Sequence, residues 1–98
     1  MTSVDIPPEF EDSQGNTILN LAPMQEDEQL GLQLGLTAIY RGLDVNHSNK
    51  KGERPMPIAL ENNRYAIIYN LLKANVPLKE KNNSGEDAIF VFSKTSFN

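Results

Sequence analysis

Few side chains in this chain of 98 residues could do acid–base or nucleophilic chemistry. His47 is the only histidine and there is no cysteine, so a histidine metal cluster, a paired-histidine general base and a thiolate nucleophile are excluded by counting. No serine lies in the G-x-S-x-G motif of a serine nucleophile. Carboxylates such as Glu26 and Glu28 lie in polar segments and are interpreted as surface charge. His47 itself lies in the polar segment HSNKK, where we expect a contact at the tip of a turn. We therefore predict no catalytic residue, no metal site, no cofactor and no enzymatic activity.

Basic residues cluster at one place, formed by Lys50, Lys51 and Arg54. The nearby glycine segments lack the spacing and the following lysine of a phosphate-binding loop. Residues 1–40 carry a formal charge of −7 and residues 41–98 carry +3, which together give the net charge of −4. An acidic front half disfavours nucleic acid. It is interpreted either as a solvated face or as a surface that steers a basic partner.

Turn residues recur at a fixed spacing along the chain. Residues 41–59, RGLDVNHSNKKGERPMPIA, align with residues 74–92, ANVPLKEKNNSGEDAIFVF, at an offset of 33, which places Gly52 on Gly85. Gly15 precedes Gly52 by 37 residues, so the first unit has four extra residues. We place them around PMQEDE, between two helices. Each glycine follows polar residues and is predicted to adopt a positive φ.

This pattern resembles the ankyrin repeat, whose signature is roughly D-x-x-G-x-T-P-L-H-x-A with a later G-A-D-V-N. The resemblance is carried by four segments: DSQGNTILNLA (12–22), GLDVN (42–46), GERPMPIA (52–59) and IIYNLLKANVPL (67–78). It implies an all-α fold, an ankyrin-type helix-turn-helix solenoid with short β-turn or hairpin fingers between repeats. One domain would span residues 1–98, with repeat 1 at about 12–46, repeat 2 at about 49–79 and a partial repeat 3 at about 82–98.

Several residues depart from the family pattern. Arg54 replaces the usual threonine, which removes a side-chain bond to the turn. Pro23 and Pro57 are expected to shorten or distort the leading helices, whereas Pro55 suits a first helical position. Asn63 and Asn75 stand where the family usually has glycine, and asparagine tolerates left-handed backbone.

The segment AIFVF at residues 88–92 is apolar on every side. Its register with residues 12–22 favours a helix over the strand that its composition would also suit. A helix with only one neighbour leaves apolar surface uncovered. We expect either that the chain end folds back over it, or that it docks a partner or a second copy through Phe92 and Phe97.

Proteins similar to ankyrin repeats bind other proteins through the tips of their hairpins and the concave face of their first helices. The resemblance therefore implies a small non-catalytic interaction module, acting as an inhibitor, an immunity-type blocker or an adaptor. The alternative is an assembly protein that self-associates through its apolar C-terminal end. The predicted partner-binding residues are His47, Asn49, Lys50, Lys51, Arg54, Met56, Leu60, Glu61, Asn62, Lys81, Asn82 and Asn83, and Asn20 and Met24 are expected on the concave side.

The sequence also predicts the cellular compartment of the protein. The opening MTSVDIPPEF has neither the basic nor the apolar region of a signal peptide, and no stretch approaches eighteen apolar residues. Together with the absence of cysteine, this favours a cytoplasmic protein with a protein partner and with no membrane or nucleic-acid partner.

Overall fold

The computed structural model describes residues 10–94, which form helices and turns with no strand among them. The helices are α1 (Ile18–Leu21), α2 (Glu28–Tyr40), α3 (Pro55–Glu61), α4 (Tyr65–Lys73) and α5 (Ala88–Ser93), and a 3-10 turn, Ala22–Met24, follows α1. The all-α prediction is therefore confirmed. The prediction of a helix rather than a strand at AIFVF is confirmed as well, because α5 contains that segment.

The helices pack as pairs that stack on one another. Helix α1 contacts α2, and α3 contacts α4; between the pairs, α1 contacts α3 and α2 contacts α4. Fully buried side chains fill the space between them: Leu19, Met56, Leu60, Ile68, Leu71 and Val91. Burying an aliphatic side chain of this size contributes about 1.5–3 kcal/mol relative to leaving it exposed. The stacked arrangement therefore holds the connecting turns in fixed positions.

The same turn occurs three times, at residues 12–16 (turn 1), 49–53 (turn 2) and 82–86 (turn 3). In each, the first and last residues are joined by a backbone hydrogen bond of 2.9–3.0 Å, and the glycine N–H donates to the carbonyl three residues earlier. The first side chain, Asp12, Asn49 or Asn82, accepts from the backbone N–H groups two and four residues later. The glycines have φ values of 78–79°, so the positive φ predicted for all three is confirmed.

The ends of α2 and α4 repeat the same hydrogen bond at an offset of 33 residues. After α2, the Leu43 N–H donates to the carbonyl of Ala38 at 3.1 Å, and after α4 the Val76 N–H, 33 residues on, donates to that of Leu71 at 3.1 Å. Such a bond requires a residue of positive φ just past the helix. Gly42 supplies it after α2, and Asn75, with φ of 72°, supplies it after α4.

Helix α3 ends in the same way as α2 and α4. The Arg64 N–H donates to the carbonyl of Ala59 at 3.0 Å, and Asn63 has a φ of 56°. The left-handed backbone expected at Asn63 and Asn75 is confirmed, because asparagine is the residue after glycine that enters this region at the lowest cost.

The four extra residues of the first unit form a helical turn rather than a longer loop. The loops before α2 and α4 are both three residues long, at 25–27 and 62–64. Helix α2 begins at Glu28, four residues before Leu32, the counterpart of the first residue of α4. Asp27 caps this added turn, since its Oδ1 accepts from the N–H groups of Gln29 at 3.0 Å and Leu30 at 3.2 Å. The placement of the insertion between two helices was wrong for this reason.

The prolines act differently in the two leading helices. Helix α1 is only four residues long and passes into the 3-10 turn that contains Pro23, so the shortening expected there is confirmed. Helix α3 begins at Pro55 as expected and runs through Pro57 without interruption. The distortion expected at Pro57 was wrong, because a residue in the first turn has no helical carbonyl to which its N–H could donate.

Candidate functional site

Turns 1 and 2 are joined by direct hydrogen bonds. The Asn49 side-chain amide donates to Asn16 Oδ1 at 2.9 Å, and the backbone N–H of Lys50 donates to the carbonyl of Gln14 at 2.8 Å. Asn49 is 7% exposed and also donates to Glu53 Oε1 at 2.8 Å. Asn49 was predicted to contact a partner. Its side-chain amide instead forms hydrogen bonds within the protein.

The tip of turn 2 carries the exposed basic side chains. Lys50 and Lys51 are both exposed, and neither forms an ion pair with any residue in the part of the chain that the structure describes. The rigid turn behind them holds their backbone through the Asn49 side chain. Both lysines are therefore exposed positive charges at the tip of turn 2.

His47 lies beside the tip and connects the two turns. Its Nε2 is 2.9 Å from the carbonyl oxygen of Gly15, which requires the hydrogen on Nε2, and 3.6 Å from Glu11 Oε2. The imidazole is half-buried. His47 therefore contributes mainly to the contact between turns 1 and 2.

Three residues expected on the binding face lie in the interior instead. Met56 and Leu60 are 1% and 0% exposed, and they pack in the core. Asn20 is 0% exposed, and its side-chain amide donates to the carbonyl of His47 at 2.9 Å. These positions turn inward because a helix that packs on two neighbours presents only one side to solvent. They offer no surface to a partner.

Arg54 forms a bidentate ion pair with a residue of the next connection. Its Nη1 and Nη2 donate to Glu80 Oε2 and Oε1 at 2.5 and 2.6 Å, and Glu80 is a buried carboxylate. Arg54 makes no capping bond to α3, as the loss of threonine predicts. Its side chain ties the start of α3 to the connection between α4 and turn 3. This planar two-bond geometry is the one that arginine favours with carboxylates.

The hydrogen bonds that join turns 1 and 2 have no equivalent between turns 2 and 3. The counterpart of Lys50 is Asn83, and its N–H donates to Glu61 Oε1 at 3.0 Å instead of to a carbonyl of the preceding turn. A groove of about 220 Å³ opens between the two turns and α3. Its apolar lining is Met24, Pro57 and Ile58, and its polar lining is Glu53, Glu61, Asn62 and Asn83.

The groove brings together part of the predicted set. Glu61, Asn62 and Asn83 were expected to bind a partner and Met24 to lie on the concave side, and all four line it. Sequence reasoning missed Glu53, although its position was visible as the residue directly after Gly52. The counterparts of Glu53 in the other turns are Asn16 and Glu86. At all three positions the side-chain oxygen accepts from an asparagine amide, which is that of Asn49 for Asn16 and Glu53 and that of Asn82 for Glu86.

The remaining predicted residues are Lys81, which directly precedes turn 3, and Asn82, which is its first residue. Lys81 is exposed, whereas the Asn82 side chain donates to Glu86 Oε1 at 2.9 Å and is used within the turn. This bond, with a second one from Lys94, lowers the pKa of Glu86 below its ordinary value. In turn 1 the backbone N–H and side chain of Asn16 lower the pKa of Asp12 in the same way. Both shifts come from donors that favour the charged carboxylate.

Helix α5 exposes apolar surface, at positions other than those predicted. Ile89 is 66% and Phe90 is 51% exposed. Phe92 is half-buried and packs on Tyr65, with ring centroids 6.0 Å apart, so it is not the exposed residue. Phe97 lies outside the described residues.

Within residues 10–94, no three histidine, cysteine, aspartate or glutamate side chains converge as the ligands of a metal ion would. None of the helices over that range is both long and apolar enough to cross a membrane. No family model and no curated protein sequence matches the chain.

Proposed function

We propose that the chain is an ankyrin-type repeat protein of two units and a partial third, and that it is a cytoplasmic, non-catalytic module that binds another protein. The observation that carries this proposal is the recurrence of one turn at residues 12–16, 49–53 and 82–86 with the same hydrogen bonds. The helix ends repeat at the 33-residue offset as well. A chain that builds the same turn three times and stacks helices behind it matches the repeat architecture.

Binding through the turns suits the physics of this arrangement. Stacked helices and the links between turns 1 and 2 hold the tips in place, so that binding orders few additional groups and costs little entropy. Lys50, Lys51 and Lys81 are exposed, and the groove is lined by Glu53 of turn 2 and Asn83 of turn 3. The partner-binding surface of the proposal therefore consists of these lysines and the groove. A protein of this kind acts as an inhibitor, an immunity-type blocker or an adaptor.

Reversing the charge of the turn 2 tip is expected to release the partner. Tagged wild-type protein and the Lys50→Glu, Lys51→Glu variant are used for affinity capture from a native cell extract, and the retained proteins are identified by mass spectrometry. The wild type should retain one protein in stoichiometric amount, and the variant should bind it at least about tenfold more weakly. Exposed surface changes of this type alter stability by roughly 0.5 kcal/mol or less, so circular dichroism should show an intact fold.

A control separates the tip from general charge effects. Lys73→Glu reverses a charge at the end of α4, outside the turns, and should leave the capture unchanged. If the tip variant retains the partner as well as the wild type does, the tips are not the binding surface.

Self-association is a second candidate function, favoured by the exposed residues of α5. In the first two units the counterparts of Ile89 are Leu19 and Met56, which are 0% and 1% exposed, whereas Ile89 is 66% exposed. An uncovered apolar position that is buried in the other units is a candidate contact between copies. The chain would then be an assembly protein.

Light scattering over a range of concentrations distinguishes this candidate from a monomeric binding module. If α5 joins copies, the mass of the wild type rises with concentration, and Phe90→Ser abolishes the rise. Tyr40→Ser serves as a control because Tyr40 is a 92% exposed aromatic residue on another helix, and its replacement should change nothing. A monomeric mass for the wild type at every concentration would rule out self-association.

A further inference from the structure

The groove between turns 2 and 3 holds two carboxylates in fixed positions. Glu53 Oε1 accepts from the Asn49 side chain at 2.8 Å, and Glu61 Oε1 accepts from the Asn83 N–H at 3.0 Å. Neither carboxylate forms an ion pair with a residue that the structure describes. Each therefore keeps one oxygen, Oε2, for a ligand. A carboxylate that is already held in place by one hydrogen-bond donor needs little reorganisation to bind a second donor.

The rest of the groove is suited to an aliphatic stem. Met24, Pro57 and Ile58 supply apolar contacts, and no lysine or arginine lines the groove. A long side chain with methylene groups and a cationic end matches both parts of this lining.

We propose that this groove binds an arginine side chain of the protein partner, with the guanidinium between Glu53 and Glu61 and the methylene stem against Met24 and Pro57. The inference rests on the proposed function and specifies the partner's chemistry. Arginine fits better than lysine because its planar group offers five donors that can bond two carboxylates at once, whereas the lysine ammonium is a compact point charge.

A short blocked peptide tests the groove without the partner. The ¹⁵N-labelled full chain is titrated with acetyl-Gly-Arg-Gly-amide at low ionic strength, where charge interactions are least screened. Two further peptides replace the arginine by lysine or by citrulline, which has the same shape without the charge. The arginine peptide should shift the backbone amides of Glu53, Glu61 and Asn83 with saturation, and the citrulline peptide should not.

Neutralising the two carboxylates should remove the response. The Glu53→Gln, Glu61→Gln variant keeps a carbonyl acceptor for Asn49 and Asn83, so its spectrum should remain that of the folded protein, and it should bind the arginine peptide about tenfold more weakly. The Glu11→Gln, Asp44→Asn variant removes the same charge from a different depression and should bind as the wild type does. Saturable shifts that vanish in the groove variant alone would support the proposal.

Other outcomes would overturn it. These are the absence of saturable shifts, equal shifts with citrulline, lysine binding as tight as arginine binding, or full binding by the groove variant. The peptide test and the capture experiment fail independently. If the peptide does not bind but the partner is captured, only the arginine assignment falls; if the peptide binds but no partner is captured, the proposed function is the part that fails.

Discussion

Replacing Gly31 by alanine is expected to destabilise the protein, whereas the same replacement at Gly35 is expected to stabilise it. Both residues lie in α2, four positions apart. A Cβ at Gly31 would lie 2.6 Å from the carbonyl oxygen of Ala22, a backbone atom that cannot move without shifting the 3-10 turn. A Cβ at Gly35 would lie 3.5 Å from Ala22 Cβ and 3.7 Å from Ile67 Cγ1, which are ordinary contacts.

The two effects should have opposite signs and be large enough to measure. Overpacking costs about 1–3 kcal/mol, and alanine is favoured over glycine inside a helix by roughly 1 kcal/mol. We therefore expect Gly31→Ala to lower the free energy of unfolding by up to about 2 kcal/mol. Gly35→Ala should raise it by up to about 1 kcal/mol. Urea unfolding monitored by circular dichroism gives both values. An equal gain for both variants would show that the 3-10 turn and α2 are farther apart than described.

Leu60→Ala is the second change with a large expected effect. Leu60 is 0% exposed in the core, so truncation removes buried methyl groups and leaves a cavity. Changes of this kind cost about 2–5 kcal/mol, which is a large part of the roughly 5–15 kcal/mol that holds a domain folded. The unfolding midpoint should fall steeply in urea.

Leu36→Ala is the matched control for this change. Leu36 is 42% exposed on α2, so the same truncation removes less buried surface and should cost under about 1 kcal/mol. Similar losses at the two positions would contradict the burial of Leu60. That result would also show that Leu60 lies on the exposed binding face, as the sequence analysis predicted.

Turns and helix ends were the features that the sequence predicted best. Gly15, Gly52 and Gly85 follow polar residues, and positive φ is almost free only for glycine, so the steric rule decides the local structure by itself. The same rule assigned left-handed backbone to Asn63 and Asn75. Local signals of this kind need no knowledge of the rest of the fold.

Features that depend on packing could not be predicted. Which side of α3 faces the core is decided by α1 and α4. The apolar character of Met56 and Leu60 was a local signal that distinguishes them from Glu61 and Asn62, and the predicted binding face did not use it. The four extra residues of the first unit were placed in the loop because acidic residues favour both a loop and a helix start. Asp27 caps the added turn, which places those residues in α2.

Contacts between residues far apart in the chain could not be predicted from the local sequence either. Arg54 and Glu80 are 26 residues apart, and nothing in the sequence around either one predicts that they pair. Repeat alignment gives a partial signal, since Glu80 is the counterpart of His47, which bridges turns 1 and 2. The groove was missed because the hydrogen bonds that join turns 1 and 2 have no equivalent between turns 2 and 3, a difference that only the structure reveals.

Amide hydrogen exchange of the protein, alone and with the captured partner, tests most directly whether the turns and groove bind a protein. Our account predicts that the partner slows exchange at residues 48–53, 61–62 and 80–84 and leaves α5 unchanged. Protection confined to α5, or equal exchange with and without the partner, would contradict it.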